Sequence, residues 1–238
     1  MKYGRFLMFE NVPSTATREM YTLFPTFMGR VELGCEVFFD GIQEEIRKYI
    51  EEREEDFGYL KHWGKTHELS VPNFGDSGDP KTEEEEMKYD LFNHLKILPS
   101  VVEEEIVNYI RYVNPQLPQY MVDRSTKRTG SWITRMNQGD YVHLHQHVPA
   151  SIAGVYYYQV PPSDDPYSGS FYVETPVNFH KARPVSMTSG TKIDIGLDKP
   201  ITAGTLLLFP ASLEHGVTRH LEPDPRISIS FNYGETCL

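Results

Sequence analysis

The spacing of apolar residues changes near Ser131 of this 238-residue chain. Residues 1–39 read as mixed extended and loop, and in the segments that follow them apolar side chains recur every three or four positions, which is the period of an amphipathic helix. After Ser131, apolar and polar side chains alternate, which is the period of a half-buried strand. The pattern predicts a helical and mixed support region over residues 1–125 and a β-rich core over 126–238, integrated in one domain.

Helix signals stand in three places of the first region. Asp40 followed by Gln43 has the form of a capping box and predicts a helix over residues 41–54. Lys81–Ile97 predicts a second helix. Ser100 with Glu103 resembles another capping box, which would open a third helix with an apolar face of Val102, Ile106, Ile110 and Val113. We expect these helices to buttress one face of a sheet.

Short strands are predicted throughout the second region, separated by turns rich in proline, glycine and aspartate. Trp132, Thr134 and Met136 alternate with Ile133 and Arg135. Further extended segments are Ser151–Val160, Ser168–Glu174, Val185–Ile195, Thr205–Phe209 and Arg226–Asn232. Many short strands with such turns are typical of a sandwich or jelly roll, which can hold a small ligand at its mouth. The predicted fold class is mainly β, of the α+β kind.

Composition narrows the function classes. Hydrophobic residues make up 39% of the chain and aromatic residues 13%, which predicts a sizeable core. The net charge is 23 − 34 = −11, which disfavours nonspecific binding to nucleic acid or to an anionic membrane. Two cysteines, Cys35 and Cys237, make no disulfide framework and favour a reduced, cytoplasmic setting. An uninterrupted apolar run long enough for a membrane span is lacking.

The histidines suggest a metal site. Six of the nine lie between residues 143 and 220, and His143, His145 and His147 stand two apart. On a strand, two residues with that spacing point to the same side. His145 and His147 could therefore form one edge of a metal site that His215 completes, because neutral imidazole is a common metal ligand. The alternative is that all three are polar residues on the wet face of a strand.

An arginine near the end of the chain suggests an anion site. Arg226, Ser228, Ser230 and Asn232 share one face of a predicted strand, whose other face is Ile227, Ile229 and Phe231. A buried guanidinium opposite an apolar row needs an anion, and its planar fork fits a carboxylate.

Other candidates have simpler expected roles. We expect His180 and His220 at the surface, His143 outside the site, and the acidic run Glu83–Glu86 in solvent. The tyrosines Tyr156, Tyr157 and Tyr158 are expected to pack, with one hydroxyl able to reach a bound carboxylate. Asn137 is expected at the mouth of the site.

These motifs together resemble the Fe(II)/2-oxoglutarate-dependent oxygenases, and within them the phage and bacterial members distantly similar to prolyl 4-hydroxylases. The residues that carry the resemblance are Trp132, Asn137, Gly139–Tyr141, His145, His147, Ala153–Tyr157, Leu208–Pro210, His215 and Arg226–Asn232. The resemblance covers residues 130–233 and is weak in the residues before 130.

The resemblance implies a double-stranded β-helix, or jelly roll, with an oxygenase site. His145, His147 and His215 would be the catalytic metal ligands that hold Fe(II), and Arg226 with Ser228 would bind the distal carboxylate of 2-oxoglutarate. The second co-substrate would be O₂, and the hydroxylated substrate could be a peptidyl proline. A phage-encoded protein would act in the host cytoplasm, and the sequence leaves the oligomeric state open, a homodimer included. The chain departs from prolyl 4-hydroxylases at His147, where they have Asp or Glu.

Two alternatives to this oxygenase stay open. One is a non-catalytic jelly-roll module whose histidines bind a structural metal. The other is a three-histidine dioxygenase that does not use 2-oxoglutarate. Arg226 discriminates between the first alternative and the oxygenase, because a structural metal gives no reason to aim a cation into the barrel.

Overall fold

The computed structural model describes residues 26–35, 38–52, 90–174, 192–194 and 200–235. The predictions for Glu83–Glu86 and His180, and most of those for Lys81–Ile97 and Val185–Ile195, lie outside these residues. Among the described residues, helices that are long and apolar enough to cross a membrane are absent.

Two antiparallel sheets form the centre of the described structure. The strands are β1 (Gly29–Glu32), β2 (Arg128–Met136), β3 (Val142–His145), β4 (Ala150–Gln159), β5 (Phe171–Glu174), β6 (Lys192–Asp194), β7 (Thr205–Pro210), β8 (His215–Val217) and β9 (Arg226–Glu235). One sheet has the order β1-β7-β4-β9-β2, and the other has the order β3-β8-β5-β6. The predicted mainly β architecture with few helices is confirmed.

Alternation along the strands separates two apolar clusters. On β7, Leu206 and Leu208 pack with the helices, whereas Leu207 and Phe209 belong to a second cluster with residues of both sheets. Ile229 of β9 belongs to the same cluster as Leu206 and Leu208 and therefore faces the helices. Because successive strand side chains point to opposite faces, the other face of β9 is left for the space between the sheets.

Three helices cover the outer face of the five-stranded sheet: α1 (Phe39–Glu52), α2 (Ile97–Val113) and α3 (Gln119–Ser125). Buttressing by helices is therefore confirmed. The apolar face predicted for α2 is largely confirmed, since Val102 and Ile106 are fully buried, but Val113 is 39% exposed.

Both predicted capping boxes are wrong. Asp40 lies inside the first turn of α1, and Ser100 lies inside α2, where its hydroxyl donates to the carbonyl of Lys96 at 2.9 Å. The N-terminus of α2 is instead capped from α1. The Glu45 carboxylate accepts hydrogen bonds from the backbone N–H groups of Lys96, Ile97 and Leu98, at 2.9, 3.0 and 2.7 Å.

The described end of the second predicted helix is also not α-helical. Leu91–Asn93 is a single 3-10 turn, and its N-terminus is capped by the Asp90 side chain. Asp90 is fixed in turn by strand β2, through an ion pair with Arg128 at 2.6 Å and a hydrogen bond from the Ser131 hydroxyl. These partners are distant in sequence, so local helical spacing could not reveal them. Strand β1 joins the larger sheet by pairing with β7, and the division at residue 125 stays a prediction.

Candidate metal and carboxylate site

Strand pairing brings two of the predicted ligands directly together. His145 at the end of β3 is the antiparallel partner of His215 at the start of β8. Partners in such a pair place their side chains side by side on one face. His147 follows two residues after β3, where its backbone N–H donates to the carbonyl of Ala211 at 2.8 Å. The three residues form what we call the histidine cluster.

The geometry of the histidine cluster suits one metal ion. One candidate ligand atom from each residue lies within 4.8 Å of the others, a span that small side-chain rotations can close around an ion. His145 Nδ1 lies 2.8 Å from the carbonyl of His143, and His215 Nδ1 lies 2.8 Å from that of Leu213. A carbonyl accepts only, so both Nδ1 atoms carry the proton and both Nε2 lone pairs are free for a metal. The Nδ1 atom of His147 is buried and has no hydrogen-bond partner.

Burial keeps these imidazoles neutral. It lowers the pKa of His147 to about 3, with the neighbouring His215 and His145 acting in the same direction. Burial also lowers the pKa of His215 to about 4, and it lowers the pKa of His145. Desolvation disfavours the imidazolium ion, so the lone pairs that a metal needs are available at neutral pH.

Arg226 lies in the same cavity and lacks a carboxylate partner among the described residues. It is 3% exposed, and its Cζ atom lies 4.7 Å from the centre of the Tyr157 ring. Its Nη1 donates a weak hydrogen bond to the Met136 sulfur at 3.4 Å, and the Tyr157 side chain interacts with the guanidinium. Burial lowers the pKa of this guanidinium. A buried cation with such partners creates a strong demand for an anion.

Three hydroxyl side chains of adjacent strands share the cavity with the guanidinium. Ser228 of β9 pairs with Thr134 of β2 on one side and with Tyr157 of β4 on the other. All three line the cavity, and the buried Tyr157 hydroxyl lies close to the Arg226 guanidinium but donates to no described residue. Thr134 was not predicted to lie in the cavity, although the alternation of β2 places it on the same face as Trp132. For the tyrosines, the structure shows that Tyr157 is the one in the cavity.

The cavity joins the histidine cluster to Arg226. Its volume is about 550 Å³ when the open mouth is included. The remaining lining is mostly apolar and comprises Trp132, Val142, Gly154, Val155, Phe171, Phe209, Val217 and Ser230. A mostly apolar pocket with a few convergent polar groups is typical of a small-molecule site.

Three other residues singled out in the sequence lie outside the cavity lining. His143 is exposed and outside the cavity lining, as expected. Asn137 does not line the cavity: it lies in the turn after β2, where its N–H donates to Asp140 at 2.7 Å. The expectation that His220 lies at the surface is wrong, because it is 2% exposed and its Nε2 lies 2.7 Å from the carbonyl of Asp224. The nearby turn residues fold over the ring, which local sequence did not reveal.

Fold and site together define a class: a two-sheet β protein with a cluster of neutral imidazoles and a buried arginine in one cavity. Residues 130–232 match the family model described as "Putative 2OG-Fe(II) oxygenase", which confirms the resemblance seen in the sequence. That description names both predicted cofactors, Fe(II) and 2-oxoglutarate. No curated protein matched the chain.

Solved structures resemble the chain weakly. A 2OG-Fe(II) oxygenase family oxidoreductase from Burkholderia pseudomallei is 17% identical over 45% of this chain and 42% of its own, with a TM-score of 0.33. A prolyl-4-hydroxylase from Pseudomonas putida is 14% identical over 45% of this chain and 51% of its own, with a TM-score of 0.32. HygX from Streptomyces hygroscopicus, with nickel and 2-oxoglutarate bound, is 18% identical over 58% of this chain and 70% of its own, with a TM-score of 0.35. The first of these is matched over less than half of its length.

Proposed function

We propose that this protein is an Fe(II)- and 2-oxoglutarate-dependent oxygenase that hydroxylates a C–H bond of its substrate. Such chemistry needs a metal site and a nearby cradle for the distal carboxylate of the 2-oxo acid. The histidine cluster would hold the metal, and Arg226 with Ser228 would hold the carboxylate. When bound, Fe(II) would supply O₂ activation coupled to oxidative decarboxylation of 2-oxoglutarate.

The observation that carries the proposal is the buried position of Arg226 in the same cavity as the histidine cluster. A structural metal alone does not require a cation there, and burial of an unpaired guanidinium costs free energy. A carboxylate supplies two parallel acceptors to the guanidinium fork. The hydroxyls of Ser228 and Tyr157 are suitably placed in adjacent strands to donate to the same anion.

The histidine cluster fits a divalent metal. Two of its Nε2 atoms are free because their Nδ1 atoms face carbonyl oxygens, and the buried Nδ1 of His147 is without a partner. Neutral imidazole suits iron, copper, nickel and zinc, so the donor atoms alone do not select Fe(II). The proposal of iron therefore also draws on the family match over residues 130–232.

The fold proposal is a double-stranded β-helix formed by β2 to β9. Its support is the order of strands, in which successive strands alternate between the two sheets except at β5 and β6. Eight strands arranged in two such sheets are typical of a jelly roll.

The substrate class is less defined than the cofactors. A peptidyl proline is a candidate through the resemblance to prolyl 4-hydroxylases, and the proposed location is the cytoplasm. The apolar lining around Trp132 and Phe171 would exclude water from the reacting centre.

Calorimetry with 2-oxoglutarate tests the proposal, with Mn(II) replacing Fe(II) to prevent turnover. We expect saturable binding that requires the metal. A second readout is the visible charge-transfer band of the chelated 2-oxo acid under anaerobic Fe(II). If millimolar 2-oxoglutarate does not bind although metal does, the oxygenase proposal fails and a structural-metal module replaces it.

A further inference from the structure

A tight turn lies directly behind the Arg226 side chain. The turn precedes strand β5 and contains Gly169, whose φ of 59° is in the left-handed region that favours glycine. A Cβ atom on Gly169 would lie 3.1 Å from Cδ of Arg226 and 3.3 Å from Nδ1 of His220. The absence of a side chain at Gly169 is therefore what lets this turn approach the stem of the buried arginine.

Hydrogen bonds hold the turn in place on both sides of Gly169. The backbone N–H of Gly169 donates to the carbonyl of Arg219 at 3.0 Å. The Thr218 hydroxyl accepts from the N–H of Ser170 at 2.8 Å and donates to the carbonyl of Tyr167. The turn is thus attached to the segment that leads into β9, and it cannot retreat from the arginine without breaking these bonds.

Strand register places the turn away from the histidine cluster. Val173 of β5 is the antiparallel partner of His215, and Gly169 comes four residues before Val173 in the chain. Arg226 approaches the same turn and also lines the cavity. A ligand that reaches from the metal to the guanidinium would therefore end at this turn, which acts as the wall behind its distal carboxylate.

The neighbours of Gly169 differ in their freedom to move. His220 is 2% exposed, and its Nε2 atom lies 2.7 Å from the carbonyl of Asp224, so its ring is fixed by packing and by a hydrogen bond. The stem of Arg226 adjoins the cavity and has space on that side. A methyl group at position 169 would therefore displace Arg226 into the cavity rather than displace His220.

We propose that Gly169 sets the chain length of the 2-oxo dicarboxylate that the cavity accepts, by fixing the position of Arg226. The inference rests on the proposed function, in which Arg226 binds the distal carboxylate. Gly169 is a positioning residue, because it acts through the arginine stem. A co-substrate longer by one methylene would require the guanidinium to move back against a hydrogen-bonded turn, and one shorter would not reach it.

Calorimetry on the Mn(II)-loaded protein tests the inference with 2-oxoglutarate, freshly dissolved oxaloacetate and 2-oxoadipate, which differ by one methylene each. In the wild type, 2-oxoadipate should bind at least about tenfold more weakly than 2-oxoglutarate. In Gly169→Ala, 2-oxoglutarate should bind at least about tenfold more weakly than in the wild type, because the guanidinium is misplaced. The preference for 2-oxoglutarate over oxaloacetate should fall at least about threefold in this variant, since the guanidinium has moved into the cavity.

Gly139→Ala is the matched control. Gly139 also has a left-handed φ, of 95°, but a Cβ atom there would meet no described atom within 4 Å. The control therefore carries a comparable backbone strain without contact to Arg226. Its preference among the three diacids should equal that of the wild type within about twofold. An equal preference in the wild type and Gly169→Ala would overturn the inference, whatever the change in stability.

Thr218→Val provides a second variant in case Gly169→Ala does not fold. It keeps the shape of the side chain and removes the hydroxyl that holds the turn, so Arg226 gains room to move back. The affinity for 2-oxoadipate relative to 2-oxoglutarate should then rise at least about threefold, and an unchanged ratio overturns the inference. If none of the three diacids binds the wild type, the proposed function and the inference both fail. If they bind with a preference that neither variant alters, only the inference fails.

Discussion

At the scale of single residues, the site depends on atoms whose bonding is incomplete in the folded chain. Among the described residues, His147 Nδ1 is buried without a hydrogen-bond partner, the buried Tyr157 hydroxyl has no acceptor and lies close to Arg226, and Arg226 is buried without a carboxylate. Buried polar groups in folded proteins normally have partners. Their convergence on one cavity is what a metal and a carboxylate ligand would explain.

Removal of each member of the histidine cluster should reduce bound iron. We expect His145→Ala, His147→Ala and His215→Ala each to lose most of the Fe(II) retained by the wild type. Each variant removes one of the three imidazoles that would hold the metal. His143→Ala and His220→Ala should retain it, because neither ring lines the cavity. Metal analysis of the purified proteins provides the measurement. Full iron in His147→Ala with loss in His143→Ala would show that the ligand assignment is shifted by two residues.

The substitution His147→Asp should keep iron bound. Carboxylate oxygen suits Fe(II) at least as well as imidazole nitrogen, and it restores the two-histidine, one-carboxylate ligand set. Iron content and circular dichroism of the variant test this expectation. A folded variant without metal would argue that the position requires an imidazole.

Arg226→Ala should fold and retain iron but bind 2-oxoglutarate roughly two to three orders of magnitude more weakly. That loss corresponds to a charge pair of about 3–4 kcal/mol. Arg226→Lys should recover only part of the affinity, because an ammonium group cannot make the paired contact. Calorimetry with Mn(II) gives the affinities, and Arg219→Ala, which removes an exposed cation, is the control. An Arg226→Ala protein with wild-type affinity would separate the guanidinium from 2-oxoglutarate binding.

At the scale of elements, α2 begins where another helix supplies its cap. The Glu45 carboxylate of α1 accepts hydrogen bonds from three backbone N–H groups at the start of α2. The two helices are therefore joined by hydrogen bonds to a carboxylate as well as by apolar contacts. The first N–H groups of a helix have no partners within the helix, and a carboxylate at that end also interacts favourably with the helix dipole.

Glu45→Ala should lower the free energy of unfolding by about 1–2 kcal/mol, the usual cost of removing a helix cap. Urea denaturation at neutral pH measures the change. Glu44→Ala is the matched control, because among the described residues the adjacent Glu44 forms ion pairs with exposed cations of its own helix, Arg47 and Lys48, and should change stability little. Equal losses in the two variants would contradict a special role for the Glu45 cap.

At the scale of the whole molecule, the buried imidazoles make the stability of the metal-free protein depend on pH. The unfolded chain protonates its histidines near pH 6.5, whereas the folded chain resists protonation of His147 until about pH 3 and of His215 until about pH 4. Below pH 6.5 the unfolded state therefore binds more protons, and acid favours unfolding.

The free energy of unfolding of the metal-free protein should fall by at least about 2 kcal/mol between pH 6.5 and pH 5. Urea denaturation in the presence of a chelator provides the curve. A His147→Asn, His215→Asn double variant should show a flatter dependence over the same window, because asparagine does not titrate. Parallel curves for the two proteins would contradict the assignment of the effect to these imidazoles.

Sequence alone determined the elements whose pattern is local. The alternation of Arg226, Ser228 and Ser230 with Ile227, Ile229 and Phe231 predicted which face of β9 carries the polar groups, because strand side chains alternate regardless of context. The same reasoning predicted that His145 and His147 lie on one side of the chain. The family match over residues 130–232 agrees with motifs that are visible in the sequence.

Tertiary structure decided the features that depend on distant partners. The pairing of His145 with His215 is set by the antiparallel register of β3 and β8, which no local spacing specifies. The cap of α2 comes from Glu45 of α1, 53 residues before Leu98 in the chain, so the local capping box at Ser100 was misleading. Likewise, the burial of His220 follows from contacts across a folded turn. Local periodicity selects the face of a side chain, but only packing selects what that face meets.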